Sequence, residues 1–210
     1  MDKSIYVVFS NTPCRIGKLI RSLTGEQYNH VSIALDRDLS RMYSFARRYY
    51  RTPLYGGFVK ESLSRYHADC KPALCMICAV PVSIAQYTAL EAHLDEMHSH
   101  KEQYLYNYLS ALTFLFRKRV HVRDARLCVE FVSDTLSQLD TPVDNNKFYT
   151  TKDLCTLFER LAVYTGPMPA PAEYDEVFFA KKPVPHPHLT SIRHMIALLP
   201  RLRKKGSVAK

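Results

Sequence analysis

The sequence predicts a single α+β domain, an antiparallel sheet packed against helices, and three observations carry that expectation. "SIYVVFS" (4–10) is a short apolar run of strand length, and "HVSIAL" (30–35) has the period-two alternation of a strand. Longer stretches, 83–98 and 125–139, place apolar residues at three-and-four spacing, as helices with one buried face do. With 210 residues, 47% hydrophobic and 23% charged, the chain has enough apolar surface for one core and lacks the composition of a disordered protein. Residues 1–210 are therefore read as one domain.

Taken in order, the strand at 4–10 delivers a helix from about Cys14 to Leu23, with Thr12 as N-cap, Pro13 in the first turn and Gly25 at the stop. In the next strand Val31, Ile33 and Leu35 share one face, and His30, Ser32 and Ala34 share the other. Two polar side chains on that second face call for a cleft. After the turn "DRDLS" (36–40), Met42, Ser44 and Ala46 alternate with Tyr43 and Phe45 in a hairpin partner. The segment "RTPLYGGFVKESLSRYHA" (51–68), with Pro53 and the Gly56–Gly57 pair, reads as an irregular loop, so Tyr43, Gly56, Gly57 and Phe58 are expected to line a cleft rim.

"ALCMICAVPV" (73–82) is nearly continuous apolar sequence, the mark of a central strand, and "SIAQ" (83–86) is a capping box opening the helix that follows. A partly helical run, "YLYNYLSALTFLF" (104–116), precedes the helix "ARLCVEFVSDTLSQL" (125–139), with Asp124 as its N-cap. "TTKDLCTLFERL" (150–161) is a short helix capped at Thr150 or Thr151, and "EVFFAKK" (176–182) is an expected edge strand. Residues 190–210 form a short apolar helix meeting a basic tail, which docks on the domain or, as the second reading, lies on an anionic membrane surface.

Composition narrows the function classes. The apolar run Ile5 to Phe9 is too short for a signal-peptide core and no stretch approaches the roughly 18 apolar residues of a membrane-spanning helix, so a cytoplasmic location is expected, with peripheral attachment at the inner membrane surface as its variant. In a reducing compartment Cys14, Cys70, Cys75, Cys78, Cys128 and Cys155 are free thiols. A formal net charge of +9 suits nucleic acid, an anionic membrane surface or an anionic substrate. "FARRYYR" (45–51) interleaves basic and aromatic residues but belongs to no recognisable nucleic-acid module, which ranks that partner last. Cys75 and Cys78 fall on opposite faces of a strand with no second ligand pair behind them, and "EAHLDEMHSH" (91–100) lacks the H-E-x-x-H order; no metal and no cofactor is expected.

One pair remains for chemistry. Cys128 stands at a helix start, where the positive end of the helix favours a thiolate. Such a nucleophile needs a base that titrates near neutrality, and His30 on its polar strand face supplies one. On these features alone, a buried structural cysteine and a hydrogen-bonded strand histidine are the commoner outcome.

The motif order shifts that balance. "YNHVSIAL" (28–35), "MYSFAR" (42–47), "QYLYNYLSAL" (103–112) and "RLCVEFVSDTL" (126–136), spread over about residues 5–140, resemble the permuted papain-fold hydrolases of the NlpC/P60 superfamily, the group of the YiiX-like and lecithin retinol acyltransferase-like proteins. The resemblance implies a circularly permuted papain-like fold in which the histidine strand precedes the cysteine helix. It implies a thiol-dependent hydrolase (peptidase or amidase) or acyltransferase, with Cys128 as nucleophile and His30, after Asn29, as base.

The family's third group, on the strand after the histidine, has Ser44 as its nearest match, with Tyr43 or a backbone carbonyl as the alternatives. The family's first strand opens with "G-D", where this chain has "SIYVVFSNTP". Tyr6, Ser10 and Asn11 are the corresponding cleft or oxyanion candidates, beside the Cys128 N–H. The implied partners are a small-molecule, peptide or lipid-like acyl substrate, of the bacterial cell-wall or lipid type. The alternatives are a papain-like domain without chemistry that binds or scaffolds, and a basic nucleic-acid-associated protein.

Overall fold

The computed structural model describes residues 3–12, 25–52, 54–68, 71–181 and 183–202. The helix expected at Cys14 to Leu23, Pro13, Pro53, Cys70 and the tail from 203 to 210 lie outside the described residues. The rest forms an α+β fold around a six-stranded antiparallel sheet. Its strand order is β4–β3–β2–β1–β5–β8, from β1 (Lys3–Ser10), β2 (His30–Ala34), β3 (Met42–Arg47), β4 (Gly56–Glu61), β5 (Leu74–Val82) and β8 (Ala162–Pro167).

β1 is central because both its faces are apolar. Ile5, Val7 and Phe9 join Val31, Ile33, Tyr43, Phe45, Cys78 and Val80 in a core beneath three helices, α1 (Ile84–Ser99), α3 (Cys128–Leu136) and α4 (Thr151–Phe158). Val8 on the opposite face packs with Ala34, Met42, Cys75 and Ile77 under Leu39, Tyr66, Ala73 and Met168. Each large apolar side chain buried this way stabilises the fold by about 1.5–3 kcal/mol. Cys75 and Cys78 thus sit in separate layers, as their spacing predicts, and burial pushes their thiols up to about 11 and about 12.

The caps read from the sequence are present at two helices. Ser83 Oγ accepts from the Gln86 N–H at 3.2 Å while Gln86 Oε1 accepts from the Ser83 N–H at 3.0 Å, and Thr150 with Asp153 repeats the arrangement at α4. α3 departs from expectation. It begins at Cys128 rather than Ala125, and Asp124 does not cap it, holding instead a left-handed turn at φ 55°. Ala125–Arg126 forms β7, paired in parallel with β6 (Leu105–Tyr106), and Tyr108–Thr113 is the short helix α2.

The expected loop at 51–68 is corrected in part: Gly56–Glu61 is strand β4, and Leu63–His67 is a 3₁₀ turn. The glycines serve close approach rather than a turn. A Cβ at Gly57 would lie 2.2 Å from the Tyr104 carbonyl oxygen, and one at Gly56 would lie 2.8 Å from that of Ala46. The segment "EVFFAKK" is also corrected, since Glu176–Phe179 is helix α5, started by Asp175 Oδ1 accepting from the Phe178 N–H at 2.8 Å. Helix α6 (Pro187–Leu198) docks on the domain through buried His194 and Leu198. Among the described residues no helix is long and apolar enough to cross a membrane.

Candidate active site

β2 opens on His30, β4 closes on Glu61 and α3 opens on Cys128. α3 is seated by Phe131, whose ring centroid lies 5.6 Å from those of both Phe45 and Phe58, and by Val132 and Leu136, both fully buried. Its first turn is fixed by a buried carboxylate. Glu130 Oε2 accepts from the Leu127 N–H at 2.8 Å and Oε1 accepts from Ser110 Oγ at 2.5 Å, with Arg119 Nε 3.5 Å away. A negative group here both satisfies a backbone donor and faces the positive end of the helix.

The histidine is held from the other side. His30 Nε2–H donates to Glu61 Oε1 at 3.0 Å, Ser32 Oγ donates to the same oxygen at 2.6 Å, and Tyr66 Oη donates to Glu61 Oε2 at 2.8 Å. Both carboxylate oxygens are therefore occupied inside a closed network, with the His30 side chain 8% and the Glu61 side chain 4% exposed. Burial alone would push the Glu61 carboxyl up, but His30, Arg65 and Ser32 more than reverse it and hold it well below the usual carboxylate range. Burial would likewise push His30 down, and Glu61 with Cys128 more than reverse that, holding the imidazole well above its ordinary value of 6.5. Tyr66, raised by burial and by Glu61, stays a protonated donor.

Cys128 lies close enough to His30 to raise the imidazole's pKa. The two meet at the start of β2. The β2–β3 ladder there is limited to Ile33–Tyr43 and Ala34–Met42, so His30 pairs only with Ser10 of β1. Asn29 ties this end down: its Oδ1 accepts from the Thr12 N–H at 3.0 Å and its Nδ2 donates to Thr12 Oγ1 at 2.8 Å. A carboxylate on Nε2–H leaves Nδ1 as the ring nitrogen that can take a proton from the thiol. Cys128 and His30 are both buried, each 6% exposed.

Of the residues predicted from sequence, the structure thus brings Cys128 and His30 together. It does not place Ser44 on the imidazole: Ser44 is fully buried, opposite Val59, and its hydroxyl has no hydrogen-bond partner among the described residues. The ring is reached by the longer side chain of Glu61, one strand further out. Tyr6 pairs with Ala34, four residues along β1 from Ser10, about 13 Å at the rise of a strand, and so lies away from the pair.

Asn11 is engaged elsewhere, its Oδ1 accepting from the Leu74 N–H at 2.7 Å. Ser10 does face the site, directly across from His30 and beside Tyr66. Tyr43 and Phe58 are stacked in the core at 5.8 Å, and Gly56 and Gly57 lie under residues 104–106, so none of the four lines a cleft.

Glu61 and Tyr66 are the site residues that sequence reasoning missed. The available signal was the alternation of Val59 and Glu61 against Phe58 and Lys60, hidden behind two glycines that suggested a loop. Comparison of the chain with protein-family models, with curated proteins and with solved structures found no match.

Proposed function

We propose that this chain is a thiol-dependent acyl hydrolase or acyltransferase of circularly permuted papain-like type, with Cys128 as nucleophile, His30 as base and Glu61 as the group that orients the imidazole. One observation carries the reading: a cysteine at a helix start adjoins a histidine whose Nε2 is held by a buried carboxylate. The order of the histidine strand before the cysteine helix supports it further.

In this reading His30 takes the Cys128 proton and the sulfur attacks the carbonyl carbon of an amide or ester. The imidazolium, stabilised by Glu61, returns the proton to the leaving amine or alcohol, and an acyl thioester remains. Water or another acceptor, deprotonated by the now neutral His30, attacks that thioester and frees the thiol. The Cys128 N–H at the start of α3 is the donor suited to the oxyanion. The substrate class is a small-molecule, peptide or lipid-like acyl compound.

The test is acylation by p-nitrophenyl acetate, read as a burst of nitrophenolate and as an acetyl adduct mapped by mass spectrometry. Wild type is expected to give the burst with the adduct on Cys128, Cys128→Ala to give none, and His30→Ala to slow it by about 10²–10⁴-fold. A burst that survives in Cys128→Ala, or a Cys128 adduct formed equally fast without His30, overturns the assignment.

A further inference from the structure

Helix α6 is amphipathic in the wrong direction for a helix that has finished packing. It turns His194 and Leu198 inward, yet Leu189, Ile192, Ile196 and Leu199 stand 43%, 55%, 57% and 56% exposed. Their spacing of three and four residues makes one apolar stripe along the helix and into the 3₁₀ turn that follows it. A groove of about 410 Å³ runs beside it, lined by Leu54, Ile192, Met195 and Ile196 with Arg51 at its margin.

Charge tells what covers this stripe. From residue 177 to 210 the chain has eight Lys or Arg and no Asp or Glu, against a formal net charge of +9 for the whole chain. Arg193 lies on the helix itself, exposed, and Arg203, Lys204 and Lys205 follow it in sequence. Aliphatic side chains flanked by basic ones, without stacking aromatics, match a lipid surface with anionic headgroups rather than a nucleic acid.

We infer that α6 binds an anionic lipid surface, the apolar stripe entering the headgroup boundary and the exposed Arg51 and Arg193 pairing with anionic lipid. Leu198 packs with Leu105, Val122 and Ala125, so the buried face of α6 rests on the segment that leads into α3.

The experiment is co-sedimentation of the full chain with phosphatidylcholine vesicles, with and without phosphatidylserine, across a salt series. Binding is expected only with phosphatidylserine and weakens as salt rises. Ile192→Glu with Ile196→Glu should reduce it by at least about tenfold while thermal unfolding stays at the wild-type temperature, because both sites are exposed. Cys128→Ala should bind as wild type, which separates this inference from the catalytic reading. Vesicle binding unchanged by the paired glutamates, absence of binding to anionic vesicles, or a dimer in analytical ultracentrifugation that the same substitutions dissolve would each overturn it.

Discussion

Glu61 Oε1 accepts the Nε2–H of His30 at 3.0 Å, the carboxylate coming from β4 and the ring from β2, with β3 between them in the sheet. The contact leaves Nδ1 as the ring nitrogen for the proposed chemistry, and it places a buried carboxylate where that chemistry would form an imidazolium. Tyr66 and Ser32 hold the same carboxylate from two further directions, so the ring's orientation rests on four side chains rather than one pair.

Glu61→Gln keeps the size of the side chain and removes its charge. The imidazole loses the partner that holds it well above its ordinary pKa and that fixes Nε2–H, while Ser32 and Tyr66 lose a charged acceptor. Acylation of Cys128 by p-nitrophenyl acetate should slow by about 10²–10⁴-fold, and the fold should lose about 1–3 kcal/mol. Burst kinetics and urea unfolding read the two effects separately. Ser44→Ala, by contrast, should leave the burst rate at wild type; a loss comparable to that of Glu61→Gln would return the orienting role to the serine.

The same pair sets a pH window for stability. Glu61 has a folded pKa below its ordinary 4.5, so its contribution is complete above that value and is lost as pH falls through the folded pKa. His30 has a folded pKa above 6.5, so its contribution is complete below 6.5 and is lost as pH rises through the folded value. The stability difference between wild type and Glu61→Gln should therefore peak between pH 4.5 and 6.5 and shrink on both sides. Denaturant titrations at a series of pH values check this, and a difference that stays flat across the range contradicts it.

How much of this was legible in the sequence follows from the physics of each element. β2 and β3 declare themselves by period two, and β1 and β5, buried on both faces, as short apolar runs, so all four could be read directly, as could the capping box at Ser83 and a cap at Thr150 or Thr151. β4 could not. Gly57 admits the Tyr104 carbonyl and Gly56 the Ala46 carbonyl, long-range requirements that in one dimension look like a turn. Missing β4 meant missing Glu61, and Ser44 then stood as the nearest polar group on a strand that was visible. β8, exposed along most of its length, has no alternation of burial to reveal it.

Gly57 gives a direct check on that explanation. A methyl group there would press to 2.2 Å from the Tyr104 carbonyl oxygen, which is backbone and cannot swing aside. Gly57→Ala should cost about 1–3 kcal/mol through displacement of the 104–106 segment, measured by chemical denaturation. Gly25, at φ 66° with open space around it, is the contrasting position. There Ala should cost about 1–2 kcal/mol through backbone conformation alone, and should leave hydrogen exchange at residues 104–106 unchanged. An equal increase in exchange from both substitutions would show that close packing at β4 is not the reason for its glycines.

The docking of α6 should itself depend on pH through His194. This residue is 4% exposed and sits edge-on to Tyr55 and Tyr108, with ring centroids 5.5 and 5.9 Å away. Burial, with Arg48 and Arg201 nearby, brings its pKa down to about 4, a backbone hydrogen bond with Tyr106 opposing them. Because the folded value lies below the ordinary 6.5, the docked helix keeps its full stability above pH 6.5 and loses it as pH falls, by up to roughly 3 kcal/mol near pH 4. Hydrogen exchange, corrected for its intrinsic pH dependence, should therefore accelerate across 187–198 on acidification, while the central strands β1 and β5 stay protected. His194→Phe, which keeps an aromatic ring between the two tyrosines and carries no titrating group, should remove the acceleration. If the phenylalanine variant still loosens with falling pH, the proton responsible enters elsewhere and His194 is simply a packed ring.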